Sequence, residues 1–493
     1  MLKLREAIEA AVIRRPALFR WSLAMSKEDS LLRQGRKRAE LAARRAWQTV
    51  PAYRDFLAAN GVASANVPFE QLPLMSKDSY IRAYSTDQRC VGGSFLKRGV
   101  AIDESSGSTG TPYNWVRGSA ERMKMRNEMS CMIEWILGPQ PLIAINGFSM
   151  GAWATGINVG EALEQHSVVK STGPDLEKIL HTIEFFGSDP GYILCGYPPF
   201  LKLLLDTMRQ RGFTIDDYVL HGMVGGEGMS EEFRRYLLTN GFQSCYSGYG
   251  ASDLEMSIAF ETPESIAIRG LLLDDRTLRE DLLDGDHRIP MVFQYNPLNC
   301  HIEVTDEGDL VATLNYSQTI SPRVRYNLGD EARVVRRIDL LKIIGKHDHT
   351  VDVSADRRMP LPYLLLFGRR DHTVSVMGAN IYPEDIEHAL YQDAEIVTGY
   401  TSFQIQIVDG DGGIVHPRLA IEWVDESVPE VDRDALARRI EERLCELNAD
   451  FKNAWDEYSD ALRFEVELHA RGQGPFAKRD GRIKNRYISK GEA

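Results

Sequence analysis

The 493-residue chain is long enough for two or three domains, and its 43% apolar and 26% charged residues are ordinary for a soluble globular protein. Its net charge of −13 argues against nucleic acid as the main partner. No apolar run approaches the roughly 20 residues that a membrane-spanning helix needs. The six cysteines are scattered and lack C-x-x-C spacing, and the N-terminus lacks a signal-peptide pattern. We therefore predict reduced thiols, no membrane or nucleic-acid partner, and a cytoplasmic location.

The N-terminal part has two local signals. Residues 27–48 are helical in character and strongly basic, a pattern typical of a solvated helix face, and Pro51 ends that segment. Further on, Ser76 is placed to cap the start of a helix.

A stretch rich in Ser, Gly and Thr follows at 103–113. Glycine allows positive φ and a close approach of backbone to a ligand, so successive N–H groups can form an anion-binding nest, to which hydroxyls add donors. No Gly-Lys-Ser/Thr follows, which excludes a Walker A loop. Such clusters are more often solvated loops, so the stretch alone does not decide its function. Its candidate ligand-binding residues are Ser105, Ser106, Gly107, Ser108, Thr109 and Gly110.

Between 140 and 255, short apolar runs alternate with segments of helical periodicity. The runs at 142–146, 192–195 and 223–224 predict buried strands, and the intervening spacing predicts helices. This alternation favours an α/β fold with a mostly parallel sheet, in which ligands bind at the carboxyl ends of the strands. Two glycine-rich stretches, 225–228 and 247–253, fall at such ends.

The C-terminal part has a different pattern. Residues 260–335 have β character, with a strand at 310–314, and a polar break occurs near 368. Beyond it, a helix starting at Pro383, alternating segments near 403–407 and 462–468, a strand at 419–424 and a helix at 436–447 predict a compact α+β unit. We therefore predict a large domain at 1–367 and a small one at 368–493.

Six short motifs occur in a fixed order: SSGSTGTP at 105–112, GGE at 225–227, YGASD at 249–253, RYNLGD at 325–330, GRRD at 368–371 and GANIYPEDIE at 378–387. In this order they resemble the acyl- and aryl-adenylate-forming enzymes, specifically the phenylacetate-coenzyme A ligase branch, from about residue 48 to the C-terminus. The resemblance implies a large α/β domain with mixed and parallel sheets and a small mobile α+β lid. It also implies a reaction in which ATP activates a carboxylic acid as acyl-AMP, pyrophosphate leaves, and a thiol accepts the acyl group.

The resemblance assigns roles to the nucleotide-binding residues. The 105–110 stretch would hold the β- and γ-phosphates, and the GGE motif would line the adenine slot. Asp253 would bind Mg²⁺, although many relatives have glutamate there, and Asp330 would accept hydrogen bonds from both ribose hydroxyls. A lysine found in many relatives is replaced by Thr111. The remaining nucleotide-site candidates are Gly225, Gly226, Glu227, Tyr249, Gly250, Ser252, Arg325 and Tyr326.

The resemblance also assigns a hinge and a C-terminal cation. Asp371 matches the hinge about which the small domain rotates between adenylation and thiolation. The lysine that reaches the α-phosphate in the family is replaced by Arg482, an exchange that is not conservative. Either Arg482 takes that role, or Lys484 or Lys478 does, or adenylation is altered.

An aromatic stretch at 146–156 matches the acyl pocket of the family. Phe148, Trp153 and Ala154 are its candidate lining residues, and flat aromatic walls favour an aryl or arylacetic acid. Glu161, His166 and Tyr197 are nearby candidates that the sequence cannot orient.

Several functions remain open from the sequence. The leading hypothesis is a ligase that uses ATP, Mg²⁺ and coenzyme A. The acceptor can instead be a carrier-protein thiol or an amine, and a small inorganic acid can replace the carboxylic acid. A different class is a nucleotide-binding homologue with impaired catalysis, which the departures at Thr111 and Arg482 motivate. The sequence also leaves a homodimer open.

Overall fold

Apolar strands form the centre of the molecule. The computed structural model describes residues 11–12, 14–105, 113–152, 154–354, 358–369, 374–376, 379–409, 415–477 and 488–489. As far as residue 249 the elements are α1 (Pro16–Ala24), α2 (Glu28–Thr49), α3 (Pro51–Ala59), β1 (Ala101–Glu104), β2 (Asn114–Arg117), α4 (Ser119–Leu137), β3 (Ile143–Asn146), α5 (Ala154–Leu163), β4 (Val168–Ser171), α6 (Leu176–Phe186), β5 (Tyr192–Gly196), α7 (Pro198–Gln210), β6 (Leu220–Gly225), α8 (Glu231–Thr239) and β7 (Phe242–Tyr249).

The chain continues into a region where antiparallel strands predominate. Its elements are β8 (Ala259–Phe260), α9 (Pro263–Asp274), α10 (Arg276–Leu282), β9 (Met291–Gln294), β10 (Cys300–Val304), β11 (Asp309–Leu314), β12 (Tyr326–Val335), α11 (Arg337–Lys346) and β13 (Tyr363–Arg369). The prediction of β character for 260–335 is therefore wrong at α9 and α10. Thr262 caps α9 in a capping box with Ser265, and Pro263 occupies the first turn, so a local start signal was present.

The C-terminal elements form a separate α+β group. They are β14 (Val374–Val376), β15 (Ala379–Ile381), α12 (Pro383–Gln392), β16 (Tyr400–Asp409), β17 (Val415–Trp423), α13 (Arg433–Leu447), α14 (Ala449–Leu462), β18 (Glu465–His469) and β19 (Ile488–Ser489). Strands β18, β17, β16 and β19 form a four-stranded sheet.

An eleven-stranded sheet spans the larger part, in the order β10-β11-β12-β13-β9-β8-β7-β6-β5-β3-β4. In the half of the sheet formed by β4, β3, β5, β6 and β7, neighbouring strands pair in parallel, as the βαβ pattern predicts. From β7 to the edge strand β10, through β8, β9, β13, β12 and β11, neighbouring strands pair antiparallel. The α/β fold class with a mixed sheet and a smaller C-terminal α+β unit is confirmed.

Separate apolar cores lie on the two sides of residue 368. The main core collects buried residues from Ala39 to Leu364, and another from Ile381 to Leu468 fills the C-terminal group. The boundary at 367/368 remains a prediction, but these cores are the physical basis for expecting two units.

Several local predictions can be compared with the structure directly. The Ser76 side chain accepts a hydrogen bond from the Ser79 amide, although the helix that it caps is a π-helix at Lys77–Arg82. The basic segment forms α2, but Arg36 pairs with Glu40 and Glu70 rather than being simply solvated. All six cysteines have free thiols. No helix in the described part of the chain is long and apolar enough to cross a bilayer.

Candidate active site

A cavity of about 940 Å³ lies where β3, β5, β6 and β7 end. Residues at or just beyond the carboxyl ends of these strands form one wall, and residues at the start of α12 form part of another. The crevice therefore lies where the parallel half of the sheet predicts it, between the large sheet and the C-terminal group.

Of the residues assigned to the nucleotide and acyl sites, all that the structure describes line this cavity except one. They are Ser105, Phe148, Ala154, Gly225, Gly226, Glu227, Tyr249, Gly250, Ser252, Asp253, Tyr326 and Asp330. Other predicted residues lie outside the described parts of the chain, so their roles stay predictions. These are Ser106, Gly107, Ser108, Thr109, Gly110, Trp153, Asp371, Arg482 and Lys484.

Two glycines at the cavity are required by backbone geometry. Gly226 has a backbone φ of 84°, a value that residues with a side chain rarely adopt. At Gly250, a Cβ atom would come within 2.3 Å of the Met256 carbonyl oxygen. These positions keep the backbone of both glycine-rich stretches close to the cavity.

Asp253 and Asp330 are fixed by an exchange of hydrogen bonds. The Tyr326 hydroxyl donates to Asp253 Oδ2 over 2.8 Å, and the Tyr249 hydroxyl donates to Asp330 Oδ2 over 2.5 Å. The YGASD motif at the end of β7 thus supplies the phenol that binds the carboxylate of the RYNLGD motif on β12, and the RYNLGD motif does the same in return. These two strands are separated in the sheet by three others. Burial, and then the adjacent carboxylate, raises the pKa of both phenols, so both remain protonated donors.

Asp253 offers the cavity a carboxylate oxygen, a ligand type that Mg²⁺ prefers. Among the described residues, no group of three or more His, Cys, Asp or Glu side chains could hold a metal. A cation at this wall would take its remaining ligands from phosphate oxygens and water, which is how proteins usually bind Mg²⁺.

Arg325 is the exception among the predicted residues. Its guanidinium donates to the carbonyl oxygens of Glu70 and Leu72 and pairs with Glu303, and the residue does not line the cavity. The predicted support of the ribose region by Arg325 is therefore not what its contacts show. They instead fix the segment before Ser76 against β12, where the Met75 amide donates to the Arg325 carbonyl.

One end of the cavity is apolar. The rings of Phe148 and Tyr197 meet edge to face, with centroids 5.5 Å apart. The α4 residues at this wall recur with helical spacing, a signal that the sequence analysis overlooked. They are Met129, Met132, Ile133 and Ile136. The other two unoriented candidates lie elsewhere: Glu161 pairs with arginines of α4, and His166 bonds to Ser167 and the Gly138 carbonyl.

The C-terminal group presents acids to the cavity. Glu384 and Glu387 of α12 line it, and burial raises the pKa of both carboxyls, that of Glu387 to about 8. Beside them, His388 Nδ1 lies 2.8 Å from Glu232 of α8. The sequence showed these acids only as the start of a helix, because their position depends on the packing of α12 against α8.

Four cationic side chains of the described residues also line the cavity: Lys77, Arg269, Arg288 and Arg369. Arg288 is bound by Asp286 and Glu331, whereas the Arg369 Nε atom lies 4.0 Å from Asp330 Oδ1. Lys77 follows the cap residue Ser76, and the sequence analysis did not single it out. The cavity therefore combines an apolar end with a polar end that carries both cations and carboxylates.

Comparisons with known proteins bear on the fold. A scan against protein-family models found no match, and a search of curated proteins found none either. Among solved structures, 2-hydroxyisobutyryl-CoA ligase in the postadenylation state with 2-HIB-AMP matches with a TM-score of 0.65 and 15% identity, over 94% of this chain and 89% of that chain. The same enzyme with R3-HIB-AMP gives 0.64 at 16% identity, with the same coverage of both chains. With 2-HIB-AMP and CoA in its thioesterification state, that ligase gives 0.54 at 17% identity, again over 94% and 89%. The chain therefore has the fold of an adenylate-forming ligase, as its motif order predicts.

Proposed function

We propose that this protein is an ATP- and Mg²⁺-dependent acid–thiol ligase. It would join an aryl or arylacetic acid to AMP with release of pyrophosphate, and then pass the acyl group to the thiol of coenzyme A. The observation that carries the proposal is the convergence of Asp253, Asp330 and both glycine-rich strand ends on one cavity. The fold, shared with a ligase crystallised with an acyl-AMP and CoA, supports it.

The polar end of the cavity would bind the nucleotide. Asp330 would accept hydrogen bonds from the ribose hydroxyls, and Gly225, Gly226 and Glu227 would flank the adenine. Asp253 would share Mg²⁺ with the phosphates, and the cation would neutralise charge on the leaving pyrophosphate. Catalysis of such a displacement comes mainly from positioning, which the phenol–carboxylate bonds favour before ATP arrives.

The apolar end would bind the acid. Phe148 and Tyr197 offer ring edges and faces, and the small side chain of Ala154, at the start of α5, lines the same cavity. The carboxylate would point towards the nucleotide, where Arg482 or Lys484 is predicted to act. Lys77 adds a further cation at the cavity wall.

The C-terminal group would act as a lid. Residues 368–493 would rotate about Asp371 relative to residues 1–367, exposing the acyl-AMP to coenzyme A after adenylation. The TM-score is higher with the postadenylation state than with the thioesterification state, which supports an arrangement like that of the postadenylation state.

A pyrophosphate-release screen tests this function. Aryl, arylacetic, fatty and amino acids are supplied with ATP and Mg²⁺, with and without coenzyme A. We expect pyrophosphate release that requires an aryl or arylacetic acid, and AMP release that rises with coenzyme A. If no acid in the panel supports release, the ligase proposal fails. Release without an effect of coenzyme A would instead favour a carrier-protein thiol or an amine as acceptor.

A further inference from the structure

Two buried arginines hold the backbone of the segment that carries Asp253. Arg117 Nη1 donates to the Leu254 carbonyl over 2.7 Å, and its Nη2 donates to the Ser252 carbonyl over 2.6 Å. Arg323 Nε donates to the carbonyl of Asp253 itself over 3.0 Å. Three successive carbonyl groups are therefore bound by two guanidinium groups, which restricts the backbone on both sides of the Asp253 side chain.

Arg117 also binds the hairpin from which the Ser/Gly/Thr stretch extends. Its Nε donates to Asp103 Oδ2 over 2.8 Å, across the antiparallel pair β1–β2, and the two side chains are 9% and 11% exposed. The hairpin is closed one step further on, where the Ser105 amide donates to the Tyr113 carbonyl and the Ser105 hydroxyl accepts from the Tyr113 amide. One guanidinium thus joins the base of this stretch to the Asp253 segment.

A second contact supports the same junction. The Arg323 guanidinium lies over the Trp115 ring at 5.2 Å, and Trp115 contacts Tyr113 with ring centroids 4.7 Å apart. Arg323 is further fixed by Ser321, whose carbonyl and hydroxyl both accept from its Nη1. The two arginines therefore hold the hairpin and the Asp253 segment as one unit.

We infer that Arg117 is a positioning residue that fixes the base of the β1–β2 hairpin, at Asp103, against the segment that carries the Asp253 carboxylate. This inference rests on the proposed function, in which both segments hold the same Mg²⁺-bound triphosphate. A misplacement of about 1 Å between groups that bind one reacting ligand is enough to reduce catalysis strongly. Arg117 touches neither ligand in this scheme and acts through Asp103 and the carbonyls of Ser252 and Leu254.

The planar guanidinium is essential to this role. It points donors in three directions at once, whereas a lysine ammonium on a flexible stem can replace the charge but not the fork. Arg117→Lys should therefore preserve the ion pair with Asp103 and lose at least one carbonyl contact. Arg279→Lys is a matched control, because Arg279 is also a buried arginine and donates to the Leu272 carbonyl away from the cavity.

The test is calorimetric titration of the full chain with α,β-methylene-ATP, with Mg²⁺ and with EDTA. We expect Arg117→Lys to weaken binding about tenfold in Mg²⁺ and only about twofold in EDTA. The Mg²⁺ advantage, defined as the Kd in EDTA divided by the Kd in Mg²⁺, should therefore fall about fivefold. Arg279→Lys should leave that advantage at the wild-type value. Steady-state kinetics should show a raised KM for ATP and an unchanged KM for the acid.

A second variant covers the case in which Arg117→Lys does not fold. Asp103→Asn keeps both carbonyl contacts and weakens only the link to the hairpin, so it should also reduce the Mg²⁺ advantage. If the folded variants bind with the wild-type Mg²⁺ advantage and merely melt at lower temperature, Arg117 is structural and the inference is overturned. If the wild-type protein does not bind the nucleotide at all, the proposed function fails first, which is a distinguishable result.

Discussion

The two walls of the cavity hold their carboxyl groups in different ways. On the large-domain wall, Asp253 and Asp330 each accept a hydrogen bond from a phenol whose own position is set by a strand of the sheet. On the α12 wall, burial against α8 raises the pKa of Glu387 to about 8. The hydrogen bonds from the phenols keep Asp253 and Asp330 oriented towards the cavity. Burial of Glu387 between α12 and α8 instead favours the neutral form of its carboxyl group.

Asp253 and Asp330 are therefore suited to bind a ligand, whereas Glu387 is suited to a contact that depends on pH. A carboxylate with a fixed donor needs no reorganisation when a cation or a hydroxyl arrives. A carboxyl that is neutral only when buried makes docking depend on pH. The wall that would hold ATP thus has acids fixed by hydrogen bonds, and the opposing wall has a contact whose strength depends on pH.

The largest effect should come from removing a fixed acid. Asp330→Ala would remove two hydrogen bonds to ribose hydroxyls, each worth about 1.5–3 kcal/mol for a charged acceptor, so kcat/KM for ATP should fall about 10²- to 10⁴-fold. Initial rates of pyrophosphate release measure this, and Asp284→Ala is the control, because Asp284 pairs with Arg333 at the surface. An effect on the KM for the acid alone would contradict the assignment.

The other fixed acid should change the metal requirement. Asp253→Asn should raise the half-saturating Mg²⁺ concentration by at least the ~10–100-fold that the loss of an outer-shell partner costs a metal site. Mg²⁺ titration at fixed ATP checks this. Asp309→Asn removes a carboxylate from the same cavity and should leave the titration near that of the wild type. Equal shifts in both variants would show that only the total charge of the cavity matters.

Removing the phenols should give smaller and separable effects. Tyr249→Phe should raise the KM for ATP, and Tyr326→Phe the Mg²⁺ requirement, each about fivefold for one hydrogen bond worth about 1 kcal/mol. The double variant should be additive if the two bonds act independently. Tyr363→Phe serves as the control, since Tyr363 donates to Glu264 away from the cavity. Identical changes in both kinetic constants for all three variants would indicate a general loss of stability.

The sequence predicted the wall that carries Asp253 and Asp330 better than the α12 wall. Glycine-rich stretches at the ends of apolar strands are local patterns, so Gly226, Gly250 and Asp253 could be placed at a crevice before any coordinates. The phenol–carboxylate exchange could not be predicted, because it depends on how strands far apart in the sequence are ordered in one sheet. The apolar face of α4, by contrast, is visible in the sequence from its helical spacing alone.

The buried contacts of arginines were equally hidden from the sequence. Arg325 was assigned to the ribose region because it belongs to a motif, but its guanidinium binds the carbonyls of Glu70 and Leu72. Arg117 belongs to no motif, and its three hydrogen bonds depend on a hairpin and a loop that are distant in the chain. Motifs identify positions, whereas side-chain direction depends on tertiary packing.

The smallest change in turnover should come from the α12 wall. There, Glu387→Gln should alter the pH dependence of the contact between α12 and α8. Glu387 faces Ser230 and Glu232 of the large domain and Glu384 of its own helix, and burial is the largest cause of its raised pKa. Below pH of about 4.5 the carboxyl is neutral whether α12 is docked or released, so docking is strongest there. As pH rises to about 8, the released form ionises first and docking weakens, and above that value it changes no further.

Glutamine is neutral at every pH, so Glu387→Gln should remove this slope. Hydrogen exchange of the α8 and α12 amides, compared with the wild type at each pH between about 5 and 8, measures docking without the intrinsic pH dependence of exchange. Glu441→Gln is the control, because Glu441 is a buried acid of α13 that accepts from the Phe464 amide away from this interface. If wild type and Glu387→Gln lose protection in parallel, another group sets the pH dependence, and the contrast between the two walls does not rest on Glu387.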